Sequence, residues 1–145
     1  MKIRHVLKSK PIDTIYSVTS DATVYEALQL MAEKNIGAVL VIDDGQLSGI
    51  FSERDYARKG ILLGRASKDT YIREVMTEKL ITVDPDQRLD EAMLLMSSKH
   101  IRHLPVIEAE QLTGIISIND VVAAIIRDQK NHIDSLESYI SGSPY

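Results

Sequence analysis

The chain has 145 residues, 44% hydrophobic and 26% charged, with a formal net charge of −4, the profile of a globular protein of one compact domain or two half-sized units sharing a core. The acidic balance disfavours a nucleic-acid partner, and the absence of cysteine excludes disulfides, cysteine-ligated zinc and thiol catalysis and points to the cytoplasm. No apolar run approaches the ~20 residues that span a membrane, and Met1–Leu7 lacks the unbroken apolar core of a signal peptide.

Apolar Ile3, Val6 and Leu7 predict a short N-terminal helix over 2–9, stopped by Pro11. A short β-type segment follows at Ile15-Tyr16-Ser17-Val18. Thr23 precedes a helix with an apolar face of Val24, Ala27, Leu28, Met31 and Ala32, and Glu26 completes a capping-box pattern. Gly37–Ile42 is a continuous apolar run, as in a strand covered on both faces. Asp43-Asp44-Gly45 signals a hairpin, Leu47–Phe51 its return, and Glu53 to about Leu62 a helix. The same order recurs: strand Ile81–Val83, helix Leu89–Lys99, strand Leu104–Ile107, return strand Leu112–Ile116, and a longer helix from Val121. With one Phe and no Trp, the core must be aliphatic.

The recurrence is a duplication. Shifting the chain by 65 residues aligns Val18–Asp55 with Val83–Asp120 without a gap, and sixteen of those 38 positions are identical. Each copy is too small to bury its own faces. The best-matched stretch is Gly49-Ile50-Phe51-Ser52-Glu53-Arg54-Asp55 against Gly114-Ile115-Ile116-Ser117-Ile118-Asn119-Asp120. The expectation is that each Gly ends a turn, each apolar pair closes a strand, each Ser caps a helix and each Asp lies in its first turn. A hydroxyl and a carboxylate then sit beside free helix N–H groups, where hydrogen-bonding ligands are well received.

A β-α-β-β-α repeat of this size, ending in Gly-h-h-Ser-x-x-Asp, resembles the cystathionine β-synthase (CBS) domain. Two in tandem resemble the CBS pair, or Bateman module, over roughly residues 11 to 130. Ile72-Arg73-Glu74-Val75-Met76-Thr77 and Ile101-Arg102-His103-Leu104-Pro105-Val106-Ile107 match the family's lead into a second repeat and its mid-strand. The resemblance implies an α+β fold of two repeats packed by pseudo-two-fold symmetry through their sheets. It divides the chain into an N-terminal helix (1–10), repeat one (11–66), a linker (67–79), repeat two (80–127) and a C-terminal helix and tail (128–145). It also implies two clefts for adenosine-containing ligands such as AMP, ATP, NAD or S-adenosylmethionine, and a homodimer.

In the family the clefts are crossed. By that pattern Asp120 works with Ile15, Tyr16, Ile36 and Gly37, and Asp55 with Ile81, Ile101 and Arg102. Asp55 and Asp120 suit the two hydroxyls of a ribose, with Ser52 and Ser117 beside them. Arg102 and His103 replace Gly37-Ala38, and Arg54 stands opposite the uncharged Asn119. Phosphate donors are therefore unequally divided between the repeats. The structural alternative is that each Ser is only a cap, each Asp a favourable first-turn charge, Arg102 a surface ion-pair member and His103 a strand-start packing residue.

Other patterns carry less. Met93 and Met96 are expected as core filler. The four histidines show no metal-ligand spacing, and no nucleophile triad, Walker loop or Rossmann fingerprint is present. Val121–Ile126 is apolar without a break, so that helix is expected to be buried on every side, with a second copy supplying cover. Ile126, Ile133, Leu136 and Ile140 form a stripe to be covered by a second subunit or by the N-terminal helix. The reading is a non-catalytic adenine-nucleotide sensor acting on a separate effector protein, with a scaffold and a nucleotide-processing enzyme as rivals.

Overall fold

A computed structural model describes residues 1–10 and 14–140. Its elements are α1 (Ile3–Ser9), β1 (Ser17–Val18), α2 (Val24–Lys34), β2 (Ala38–Asp43), β3 (Gln46–Ser52), α3 (Glu53–Asp55), α4 (Leu89–Lys99), β4 (His103–Glu108), β5 (Gln111–Ser117) and α5 (Ile118–Ile140). Pro11 and residues 141–145 lie outside the described residues. The architecture is α+β with two repeats, as the motifs imply. Thr14–Ile81 forms one compact unit, and the described residues on either side of it form the other. No helix among them is long and apolar enough to cross a membrane.

The first unit is a three-stranded sheet, β1-β2-β3, with β1 parallel and β3 antiparallel to β2. Its core is Val24, Ala27 and Met31 of α2, Val39 and Val41 of β2, Phe51 of β3, and Ile72 and Val75. The last two come from the segment between the repeats. Val24 N donates to Thr70 O at 2.9 Å, and Ile72 N donates to Ala22 O at 2.8 Å.

The second unit has its own version of that segment, and it is the N-terminus of the chain. Leu89 N donates to Met1 O at 2.9 Å, and Ile3 N to Gln87 O at 3.0 Å. Ile3 and Val6 are fully buried, as Ile72 and Val75 are. The two lead-in segments, Ile3-Arg4-His5-Val6-Leu7 and Ile72-Arg73-Glu74-Val75-Met76, are thus structural equivalents. Their offset of 69 residues (72 minus 3), rather than 65, hides them from a gapless alignment. Each precedes one repeat in sequence and packs on the other.

Several expectations need correction. Gly49 and Gly114 lie inside β3 and β5, and neither ends a turn. A Cβ on Gly49 would come within 2.8 Å of Thr77 O, and one on Gly114 within 2.8 Å of Leu7 Cδ2. Each glycine leaves room for a lead-in segment. No strand forms at Ile81–Val83; only a single bridge joins Val83 to Val106. The cause is Pro105. Its counterpart Leu40 donates its N–H to Tyr16 O at 3.2 Å, and proline has no such donor.

The helix expected over Glu53–Leu62 is broken after three residues. It passes through a π-type turn (Tyr56–Gly60) and a 3₁₀ turn (Ile61–Leu63) before Gly64 ends it at φ 73°. In the second unit α5 runs unbroken for 23 residues. Met96 is core, whereas Met93 is exposed. Within one chain α5 is not buried all round: Val121 and Ala124 are covered, but Val122 is 45% and Ile126 60% exposed. The N-terminal helix does not cover the stripe either, since Ile133, Leu136 and Ile140 remain exposed. Of the Thr23–Glu26 capping box only one half is made, with Glu26 N donating to Thr23 Oγ1.

Candidate functional site

Both Gly-h-h-Ser-x-x-Asp motifs close on themselves as helix caps. Ser52 N donates to Asp55 Oδ2 at 3.0 Å, and Asp55 N donates back to Ser52 Oγ at 3.2 Å. Ser117 N to Asp120 Oδ2 (2.8 Å) and Asp120 N to Ser117 Oγ (3.1 Å) repeat the arrangement. A third helix-start N–H is also taken. Glu53 N donates to Gly37 O at 3.1 Å, and Ile118 N to Arg102 O at 2.9 Å. The free donors expected for an anion at these helix starts are therefore mostly spent inside each unit. The capping alternative holds for both serines and for one oxygen of each aspartate.

The remaining capacity differs. A carboxylate has about four acceptor positions. Asp55 fills them: Oδ2 also accepts from Ser52 Oγ at 3.1 Å, while Oδ1 accepts from Thr77 Oγ1 at 3.0 Å and faces Lys59 Nζ at 3.5 Å. Asp120 Oδ2 faces Lys10 Nζ at 3.1 Å, and Oδ1 accepts no hydrogen bond among the described residues. Lys10 Nζ also donates to Ile115 O at 2.7 Å. In the first unit the matching carbonyl, Ile50 O, accepts from Thr77 N at 2.8 Å. One ammonium does for Asp120 and Ile115 what a threonine amide and hydroxyl do for Asp55 and Ile50.

The other expected residues divide between the units. Ile36 and Gly37 follow the left-handed Asn35 that ends α2, and the Gly37 carbonyl accepts from Glu53 N, next to Ser52. Ile15 and Tyr16 are half-buried at the approach to β1, with Lys34 Nζ 5.5 Å from the Tyr16 ring centroid. Ile81 is half-buried at the end of the first unit, and Arg54 and Asn119 are exposed on the first turns after the caps. Ile101 and Arg102 lead into β4, with Ile101 half-buried and Arg102 exposed. His103 pairs in register with Ser117. Burial holds its imidazole below the usual histidine range, opposed by Asp120 and reinforced by Lys10 and Arg102. The second unit thus gathers Lys10, Arg102, His103, Ser117 and Asp120. Asp120 and the set Ile15, Tyr16, Ile36 and Gly37 belong to different units, as do Asp55 and the pair Ile101 and Arg102.

Lys10 is the residue that sequence reasoning missed. It lies outside the repeat it serves, and the only available signal was the displaced likeness of Ile3–Leu7 to Ile72–Met76. Among the described residues no group of three metal-ligating side chains is present.

Comparison with known proteins agrees with this architecture. The CBS domain model matches residues 3–61 and 72–127, so each match begins at a lead-in segment. The chain is 44% identical over 129 residues to the CBS domain-containing protein CBSX3, mitochondrial, of Arabidopsis thaliana, covering 86% of this chain and 63% of that one. It therefore spans less than two thirds of that relative's length. YhcV of Bacillus subtilis is 34% identical over 107 residues, 74% of this chain and 76% of its own. A CBS-domain structure from Burkholderia ambifaria superposes with a TM-score of 0.86 at 49% identity, covering 89% of this chain and 96% of that one. The CBS pair of protein MJ0100, solved with 5-methylthioadenosine and S-adenosyl-L-methionine, gives 0.74 at 25% identity, covering 88% and 98%. Two matched repeats over most of its length make this chain a member of the CBS-domain family.

Proposed function

We propose that the chain is a regulatory module that binds an adenosine-containing ligand of the AMP, NAD or ATP type, catalyses no reaction, and passes its occupancy to an effector protein. The observation that carries this is the open oxygen of Asp120, whose carboxylate holds Ser117 N and Lys10 Nζ through its other oxygen and lies close enough to His103 to act on its charge. A carboxylate accepts ribose hydroxyls, and the cations suit a phosphate. The adenosyl ligands in the MJ0100 pair support the same ligand class. By the family pattern, Ile15, Tyr16, Ile36 and Gly37 supply the base pocket for Asp120, with Asn119 on the same turn. Ser52, Arg54, Ile81, Ile101 and Arg102 complete the Asp55 side. The domain limits given above stand as part of this reading.

A second copy is the expected partner. Ile61, Leu62 and Leu63 after the first motif, and Val122 and Ile126 after the second, are exposed apolar side chains that one chain leaves uncovered. Val122→Glu and Ile126→Glu, followed by light scattering, test that contact. A wild-type mass of one 16.2 kDa chain at micromolar concentration would refute it. We place the protein in the cytoplasm from its lack of cysteine, although the relative CBSX3 carries a mitochondrial name.

The deciding experiment is calorimetric titration with AMP, ATP and NAD alongside a product assay. Binding without turnover is expected. Asp120→Ala should weaken binding by about one to two decades, the worth of a hydrogen bond to a charged group. Asp55→Ala should have a smaller effect. Turnover would sink the sensor reading, and no response to any adenosine compound would favour a scaffold. The filled acceptor positions of Asp55 favour the scaffold role for that side alone.

A further inference from the structure

Lys10 holds Asp120 in a way that sets a condition on any ligand. Its ammonium lies 3.1 Å from Asp120 Oδ2 and 2.7 Å from Ile115 O, with both side chains mostly buried. Ser117 N occupies the other position on Oδ2. A ribose diol that engages both carboxylate oxygens must therefore displace the ammonium from Oδ2. A hydroxyl in exchange for a cation leaves the partly buried ammonium without its counter-charge, which is costly. That loss is made good only if the incoming molecule brings an anion within reach. A lysine has a flexible four-carbon stem and three donors, so it can leave the carboxylate without leaving the site.

Resting on the adenosine-ligand reading, we propose that Lys10 is an internal stand-in for the ligand: it occupies Asp120 in the empty site and turns to the phosphate of an incoming phosphorylated nucleoside. The consequence is selectivity against uncharged nucleosides. Adenosine must break the Lys10–Asp120 pair without recompense, whereas AMP replaces one carboxylate–ammonium contact with a phosphate–ammonium contact. The first repeat is built differently: Lys59 Nζ faces Asp55 Oδ1 from 3.5 Å, but its side chain is 44% exposed and shares that oxygen with the Thr77 hydroxyl, so its release strands no buried charge. There the Ile50 carbonyl is held by the backbone amide of Thr77, which cannot follow a ligand, and Asp55 by its hydroxyl.

The test is titration of the full chain with AMP and with adenosine, for wild type, Lys10→Met and Lys10→Arg. Lys10→Met keeps the aliphatic stem and removes the charge. It is expected to lower the AMP-to-adenosine affinity ratio by about 10-fold or more, partly by improving adenosine binding. Lys10→Arg should keep most of the ratio. In wild type, raising salt should weaken AMP far more than adenosine, a readout that does not depend on either variant folding. Wild type that binds AMP with a ratio unchanged in Lys10→Met, or with equal salt dependence for both compounds, overturns the inference and leaves the sensor reading standing. Wild type that binds neither compound overturns both.

Discussion

The two halves share a motif, a capping geometry and a lead-in segment, yet they treat their aspartates differently. In the first, Thr77 reaches Asp55 from a backbone pinned to β3 by two hydrogen bonds, Ile50 N to Thr77 O and Thr77 N to Ile50 O. In the second, the lead-in stays helical through Ser9, and Lys10 reaches Asp120 and Ile115 O with its side chain alone. A backbone contact is fixed by the chain on both sides, while a lysine side chain is a tether. The same carboxylate is thus locked in one repeat and latched in the other. A duplicated motif specifies the cap, and the segment laid against it decides how available the carboxylate is.

If the lead-in segments are equivalent, removing their anchors should cost alike. Ile3 and Ile72 are both completely buried. Ile72→Ala is expected to cost about 2–5 kcal/mol through lost burial and a cavity. Ile3→Ala should fall in the same range, because its side chain is as completely buried. Chemical denaturation measures both. A loss for Ile3→Ala of no more than about 0.5 kcal/mol, the usual surface range, would break the equivalence.

The glycines sharpen the contrast between backbone and side chain. Gly49→Ala would set a Cβ 2.8 Å from the Thr77 carbonyl and 3.0 Å from Met76 Sδ, where backbone must move. Overpacking of this kind costs about 1–3 kcal/mol. Gly114→Ala meets only the Leu7 side chain, whose end at Cδ2 can rotate away. It should cost clearly less by the same measurement. Equal losses would mean that the second lead-in is held as rigidly as the first.

Much of this was legible in the sequence, and the failures have physical reasons. Period and turn signals placed α2, α4 and both hairpins within a residue or two, because those elements follow local rules. The missing strand near Val83 was also readable: Pro105 stands where Leu40 donates to the ladder, and apolar pattern alone does not weigh a lost N–H. The broken helix after Asp55 was less so. Gly60 is buried with φ −96° and ψ −90°, and a Cβ there would lie 3.3 Å from the Tyr56 ring, whereas repeat two has Ile125 at that position. The motif residues and the serine caps are legible, but the return bond from each cap N–H to the aspartate, which takes up one carboxylate oxygen, is not marked by residue type alone. Lys10 was out of reach because its role depends on a segment packing against the repeat it does not precede.

The hairpin turns offer a smaller test of the same comparison. Both place two residues at positive φ: Asp44 (51°) and Gly45 (77°) in one, Ala109 (50°) and Glu110 (65°) in the other. Asp-Gly suits such a turn, whereas a Cβ in the left-handed region, without the short polar side chain of Asn or Asp, costs on the order of 1 kcal/mol. Glu110→Gly should therefore stabilise the protein by up to about 1 kcal/mol, read as a raised denaturation midpoint at unchanged slope. Gly45→Glu should have the opposite sign. A destabilising Glu110→Gly would show that the turn is held by something other than local conformational preference.

The smallest expected effect concerns His103, which stands where repeat one has the buried Ala38. Burial lowers its folded-state pKa from 6.5, with Lys10 and Arg102 acting the same way and Asp120 opposing. The folded chain therefore resists a proton that the unfolded chain accepts. Its stability contribution is intact above pH 6.5, is lost as pH falls from 6.5 through the folded pKa, and then levels off. Asp43, lowered by the Ser20 amide and the Ser48 hydroxyl, and Asp86, lowered by Arg4, lose theirs only below 3.8, whereas the His103 loss begins at 6.5. Replacing the residue with its own counterpart, His103→Ala, should flatten the pH dependence between 6.5 and 3.8 while leaving the steeper acid limb in place. A bound phosphate would work against the neighbouring cations and raise the His103 pKa. Ligand binding near neutral pH should then draw in a fraction of a proton, visible as a buffer-dependent heat in calorimetry. The buffer dependence would not survive if His103 faced away from the Asp120 cluster, and a wild-type slope retained in His103→Ala would show that another group carries it.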